Sequence, residues 1–320
     1  LSFPGKILAD AVSRRIFIGD SNHNRIVITD FDGNAQHFIG SGDQGFNEGT
    51  YQTAAFCDPQ GMALTSDKLY VADTKNHAIR RVDLTTQEVT TLAGVGEQSE
   101  TFHNGGPGRS VALNSPWDVE LSGNRLFIAM AGFHQIWTLD LESEEVRPYA
   151  GNGRERIEDG PLAEAELAQP SGIVADDNVS YFTDSETSAI RSADLTSAGV
   201  VTSIVGQDLF TFGDVDGSAD EVRLQYPLGI DLHNGILYIT DTHNNKIERI
   251  YPHTRKAVSW LRSGRQGSAD GVGSEAEFRE PGGISVVAGH IYVADTNNHA
   301  IRVAALDTLE VSTLEIKGLK

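Results

Sequence analysis

The segment ADTKNHAIR, residues 72–80, decides the fold, because close variants of it return as TDTHNNKIE at 240–248 and ADTNNHAIR at 294–302. A further variant, AMAGFHQIW at 129–137, keeps the length but drops the aspartate. Self-similarity at a fixed period marks a repeat architecture. Two markers set the period. A proline ahead of an apolar strand recurs at Pro4, Pro59, Pro116, Pro170, Pro227 and Pro281, at intervals of 55, 57, 54, 57 and 54 residues. The residue closing the next strand recurs at Asp20, Asp73, Met130, Asp184, Asp241 and Asp295. Both markers count six copies.

Each copy holds four short runs rich in Val, Ile, Leu and Tyr, such as GMAL, KLYVAD, AIRRVD and VTTLAG in the second. Gly, Asn or Asp separates the runs, and no helical periodicity extends beyond about two turns. This pattern predicts an all-β, six-bladed β-propeller of four-stranded antiparallel blades, with residues 1–320 as a single domain. The blades fall at about 1–40, 56–94, 113–151, 167–206, 224–264 and 278–318. Runs such as LYVA are continuously apolar, as burial of both sheet faces requires. Between blades run long connections with turns such as EDG, DVDG and ADG. Each ends on an apolar anchor three residues before proline: Phe56, Leu113, Leu167, Leu224 and Phe278, with Leu1 as the sixth. On this count every blade is contiguous sequence, and no strand is exchanged to close the ring.

The formal net charge is −20, from 45 acidic and 25 basic residues. Nucleic acids and anionic membranes are bound largely through Lys and Arg, so neither is expected as a partner. No stretch approaches the roughly 18 apolar residues of a membrane helix, and the chain is expected to be soluble. Cys57 is the only cysteine, which excludes an internal disulfide, and its setting AFCDPQG reads as packing. The opening LSFPGKILAD has neither an initiator Met nor a charged-then-apolar leader. It reads as a mature or excised fragment and assigns no compartment.

The DTxNHxIR turns, with Asn76-His77 and Asn298-His299, resemble those of the NHL-repeat family, and the likeness extends along the whole chain. FPGKI at the start and SPWDV in the third copy resemble a branch of that family with a thioredoxin-like domain ahead of the propeller. The resemblance implies a non-enzymatic ligand- or protein-binding scaffold; the chain is expected to be monomeric and to carry no cofactor. The fourth copy departs with Thr187-Ser188, the fifth with Asn244-Asn245, and the first swaps the order to His23-Asn24.

Antiparallel order puts the b–c turns and the long connections on one face, called upper below. Variable loops on a rigid scaffold are where binding residues concentrate. The repeated aspartates are expected to bond turn amides. His77, His134 and His299 share one repeat position and are expected to pack in their turns. Near the axis, the residue two after proline is Gly in four copies but Lys6 and Asp118 in the first and third. Two residues on stand Glu120 and Asp231, where other copies have Leu8, Ala63, Val174 and Ser285. Such charges form an internal ion pair or grip a small polar ligand at the channel mouth. The alternative function is a metal-dependent channel enzyme of lactonase, esterase or lyase type, with Asp118, Glu120 and Asp231 as cation ligands or acid–base pair. The third copy gathers Phe102, Arg109, Trp117, Met130, Phe133 and His134, and the connection before the fifth adds Phe210 and Phe212 in DLFTF. Met, aromatic residues and Arg are enriched at interface cores, so these residues are the candidates for a protein or peptide partner. The competing reading is apolar repair of a lost turn hydrogen bond. Asp214, Asp216 and Asp220 of GDVDGSADE are the calcium candidates.

Overall fold

The computed structural model describes residues 1–319 apart from 177, 197 and 262, and forms six antiparallel sheets arranged as a ring. In the second blade the strands run outward from the axis as Pro59–Leu64, Lys68–Asp73, Ala78–Asp83 and Glu88–Ala93. The second strand buries every residue but the first, because neighbouring blades cover both of its faces. The anchors Phe56, Leu113, Leu167, Leu224 and Phe278 are buried between blades. Among the described residues no helix is long and apolar enough to cross a membrane.

Among the described residues the expected four-stranded blade is corrected in five of the six sheets, which have five strands, and the first blade has four. The extra strands are the dipeptides Gly49–Thr50, Gly106–Pro107, Gly160–Pro161, Gly217–Ser218 and Gly271–Val272. Each pairs antiparallel with the outermost strand of its blade. An outer edge presents unpaired amides and carbonyls, and the incoming connection covers part of it. Two residues are too few to leave an alternating pattern, so the sequence shows only the glycine turn.

As expected, among the described residues every sheet is contiguous sequence and no strand is exchanged between the first and last blades, and a terminal bridge adds to the closure. Beyond the last strand, Glu310–Leu314, the chain crosses to the first blade. The Lys317 amide donates to the Gly33 carbonyl at 2.9 Å, and the Lys317 carbonyl accepts from the Ala35 amide at 3.0 Å. Ile316 and Leu319 pack into the apolar cluster that holds Leu1 and Phe38. The last segment therefore lies across the junction between the sixth and first blades.

Candidate functional site

Each repeated turn proves to be a joint between blades. The residue after the short turn has φ between 49 and 56° in all six copies: Asn24, His77, His134, Ser188, Asn245 and His299. Its side chain accepts the amide N–H of the residue before the next blade's proline. The donors, in the same order, are Asp58, Ser115, Gln169, Tyr226, Glu280 and Phe3, at 2.9–3.2 Å. These donors also have positive φ, 47–68°, a sparsely populated state for non-glycine residues. That state persists only where surroundings fix it. The last bond, Phe3 to His299, joins the sixth blade to the first and makes the set cyclic. The three histidines are thus acceptors that bridge blades, where packing within their own turns was expected.

The aspartates work inward from the same turn. Their Oδ1 atoms accept the amides of Ser2, Cys57, Ala168, Gln225 and Arg279 at 2.7–2.8 Å. Those donors lie on the connections, not in the turns as expected. In three blades Oδ2 accepts from a buried arginine seven residues on: Arg80 at 2.8 Å, Arg191 at 3.0 Å and Arg302 at 3.0 Å. Each guanidinium also reaches connection carbonyls such as Ala55, Glu166 and Glu277. Next to the aspartate, the hydroxyls of Ser21, Thr74, Ser185, Thr242 and Thr296 donate to the next blade's proline carbonyl at 2.6–2.8 Å. The recurring arginine was the signal that the sequence reading passed over.

The third blade lacks this polar set altogether. Met130 replaces the aspartate, Ala131 the hydroxyl residue and Trp137 the arginine. Phe133 stacks on Trp137 at 5.4 Å, and the His103 ring meets both edge-on at 5.7 and 5.3 Å. The Trp137 indole donates to Gln135 at 2.9 Å, which in turn donates to the Gly151 carbonyl at 2.7 Å. Exchanging both members of a buried ion pair for well-packed apolar groups is often neutral or stabilising. Met130 and Phe133 are buried, so the expectation that they contact a partner is corrected: they are core.

The remaining third-copy candidates divide. His134 is spent on the inter-blade bond to Gln169. Arg109 pairs with Glu48 at 2.7 Å on the surface. Phe102 covers Phe133 and stays 60% exposed, while Phe210 and Phe212, two connections further on, are 85% and 57% exposed. The calcium candidates do not converge. Asp214 pairs with Lys246, Asp216 accepts from Ser259 at 2.6 Å, and Asp220 lies 3.5 Å from Arg255. Among the described residues no group of three or more His, Cys, Asp or Glu is placed to hold a metal.

At the axis, Lys6 spans from the first blade to two others. Its ammonium donates to the Leu228 carbonyl at 2.6 Å and to Asp118 Oδ2 at 3.2 Å. A Cβ at Gly61 would fall 2.0 Å from Asp118 Oδ1, so glycine in the second blade gives the carboxylate its room. Burial lowers the Lys6 pKa and raises that of Asp118, and each charge partly offsets the other's shift. One level down, burial lifts Glu120 to about 8, with Asp231 and Asp118 adding repulsion. Burial likewise lifts Asp231 to about 6, although it accepts the amides of Val286 at 2.5 Å and Leu232 at 2.7 Å. Only about 60 Å³ of space remains among these side chains. Above the Lys6 bridge opens a bowl of about 540 Å³, lined by Phe3, Gln44, Cys57, Gln60, Lys75 and half-buried Trp117. A second cavity, of about 570 Å³, opens on the lower face.

Comparison with known proteins places this geometry. The NHL repeat family profile matches residues 56–81 and 278–304. The protein SUPPRESSOR OF QUENCHING 1, chloroplastic, of Arabidopsis thaliana is 43% identical over 338 residues, covering all of this chain and 32% of that protein. NHL repeat-containing protein 2 of Homo sapiens is 37% identical over 350 residues, covering 99% of this chain and 48% of that protein. The chain thus spans about a third to a half of the length of these relatives. Among solved structures, an auxiliary nutrient binding protein from Bacteroides thetaiotaomicron aligns with a TM-score of 0.66 at 12% identity, over 98% of this chain and 70% of that one. A streptogramin B lyase aligns at 0.60 and 13%, over 99% and 84%. At such identities the likeness is one of fold.

Proposed function

The chain belongs to the NHL-repeat family, and from that premise we propose that it is a binding scaffold whose upper face takes a protein partner of basic character. One observation carries this reading: the distribution of exposed large apolar side chains. Phe3, Val95, Phe102, Phe210, Phe212 and Val215 lie toward the upper face, against Val12, Val200 and Val272 elsewhere among the described residues. Exposed apolar groups gathered on one face favour a contact role there. The five long connections between blades, residues 41–58, 94–115, 151–169, 206–226 and 262–280, carry 19 acidic and 7 basic residues. Opposite charge on a partner speeds encounter and sets orientation. The structural neighbours include a nutrient binding protein and a lyase, so the fold by itself favours neither binding nor catalysis.

The test is partner capture by the intact chain and by a Phe210→Ser/Phe212→Ser variant. These side chains are exposed, so the variant should unfold at the wild-type temperature yet retain about a tenth or less of the captured partner. Capture should also fall steeply as salt is raised. Unchanged capture, or capture insensitive to salt, contradicts the reading. The channel-enzyme alternative is supported by Glu120 and Asp231, which no cation among the described residues pairs with, and opposed by the use of Asp118 in the Lys6 bridge. Stoichiometric calcium or zinc in purified protein, lost on Asp231→Asn, would favour the enzyme.

A further inference from the structure

The lower-face cavity raises a separate question, independent of the upper-face reading. It forms where the innermost strands of the first three blades end: Pro4–Asp10, Pro59–Leu64 and Pro116–Ser122. Its volume, about 570 Å³, lies within the range of small-molecule sites, roughly 300–1,000 Å³. Leu8, Leu64 and Leu121 line it and remain partly exposed. On the outer wall Asp10 and Arg15 are cross-strand partners, with Asp10 accepting the Val12 and Ser13 amides and the Arg15 guanidinium lying over the Phe17 ring. The inner end is different. There Glu120 faces both the cavity and the narrow channel behind it.

Beyond burial, nearby Asp231 raises the Glu120 pKa, and the Ala175 and Leu121 amides lower it in part. Among the described residues no cation stands within ion-pair distance of either carboxyl, since Lys6 is committed to Asp118 and Leu228. Capping the neighbouring strand does not require a charge. In the sixth blade Ser285 does the equivalent work with a hydroxyl, accepting the Ala9 amide at 3.0 Å. The first, second and fourth blades have Leu8, Ala63 and Val174 at this register. A carboxyl at 120 therefore exceeds what the fold demands, and without a counter-ion ionising it in a low-dielectric site is costly, so burial favours its neutral form. A ligand that brings a positive charge on an apolar body would offset that cost.

We propose that the lower cavity binds a small organic amine, its ammonium group at Glu120 and its hydrocarbon body against Leu8, Leu64 and Leu121. A bare divalent cation fits less well, because hard cations collect six or more oxygen ligands and among the described residues no three His, Cys, Asp or Glu side chains are grouped to supply them.

The experiment titrates the intact chain with n-hexylamine, 1-hexanol and hexanoate, following the methyl resonances of Leu8, Leu64 and Leu121. Hexylamine is expected to shift all three saturably. Hexanol should bind on the order of tenfold more weakly, the worth of one charge-assisted hydrogen bond, and hexanoate should leave the methyls unmoved. A Glu120→Gln variant should remove the difference between amine and alcohol. Equal binding of alcohol and amine by the wild-type chain overturns the proposal, whether or not the variant folds. So do shifts confined to the upper bowl around Trp117. A lysine-containing peptide that moves these methyls while hexylamine does not would assign the cavity to a protein partner and would also overturn it.

Discussion

At positions 77, 134 and 299 a histidine accepts one amide proton from the next blade; at 24 and 245 an asparagine does so, and at 188 a serine. The common factor is an acceptor of short reach on a residue that tolerates positive φ, and that explains why the letters vary while the joint does not. His77→Ala should leave the Ser115 amide unsatisfied and cost about 1–3 kcal/mol in urea denaturation, whereas His77→Asn should recover most of it. Arg80 is a harder case. It is fully buried against Asp73, and removing one partner of a buried pair costs about 3–5 kcal/mol. Arg80→Ala should therefore lower the urea midpoint more than His77→Ala does. These roles were half legible beforehand. The aspartates announced a structural task by repetition, but their partners lie 16 residues back on the connections, a separation that no local motif encodes.

Among the elements, blades three and five show two responses to a lost arginine. Blade three replaces the whole polar set by Met130, Phe133 and Trp137, and a reading by residue type took Met130 and Phe133 for a contact surface. The third-blade residue seven after Met130 is Trp137, so the arginine register, once seen, identifies core repair. Blade five keeps Asp241 but has Glu248 where blades two, four and six have arginine, with the cation moved to Lys246. Glu248 Oε2 is buried without a partner. Burial, with repulsion from Glu248, lifts Asp241 to about 8. Its folded pKa thus exceeds its unfolded value near 3.9, so the folded state holds a proton that the unfolded chain releases. Stability should fall as pH rises from about 4 through about 8. Amide exchange in Lys246–Tyr251 should accelerate over that interval after correction for intrinsic rates. Asp241→Asn should flatten the trend and stabilise the protein at pH 9; an unchanged slope would show that the pair does not share the cost. The two-residue outer strands were invisible for a simpler reason: a Gly-led dipeptide carries no periodicity.

The whole molecule is a ring, and a ring must be joined where the chain's first and last blades meet. The period, the number of copies and the face on which the connections gather were all legible in the sequence, because each recurs six times. The junction occurs once, and so left no repeated trace. It is held by the Phe3 amide on His299, by the Thr296 hydroxyl on the Pro4 carbonyl at 2.8 Å, and by Lys317 against Gly33 and Ala35. Deleting residues 315–320 should lower the melting temperature by roughly 2–6 °C without changing the β-sheet signal. The axial pair Lys6–Asp118 was foreseen as a choice between grip and ion pair, and the bond to Leu228 makes it a bridge across the ring. The lower cavity was not foreseen, since three blades distant in sequence build it together. The central claim is that six inter-blade amide bonds lock this ring at its upper rim. Residue-resolved hydrogen exchange tests it most directly, at Phe3, Asp58, Ser115, Gln169, Tyr226 and Glu280. The account predicts that all six exchange slowly despite lying outside the long strands; exchange at intrinsic rates, at the junction or around the whole rim, would contradict it.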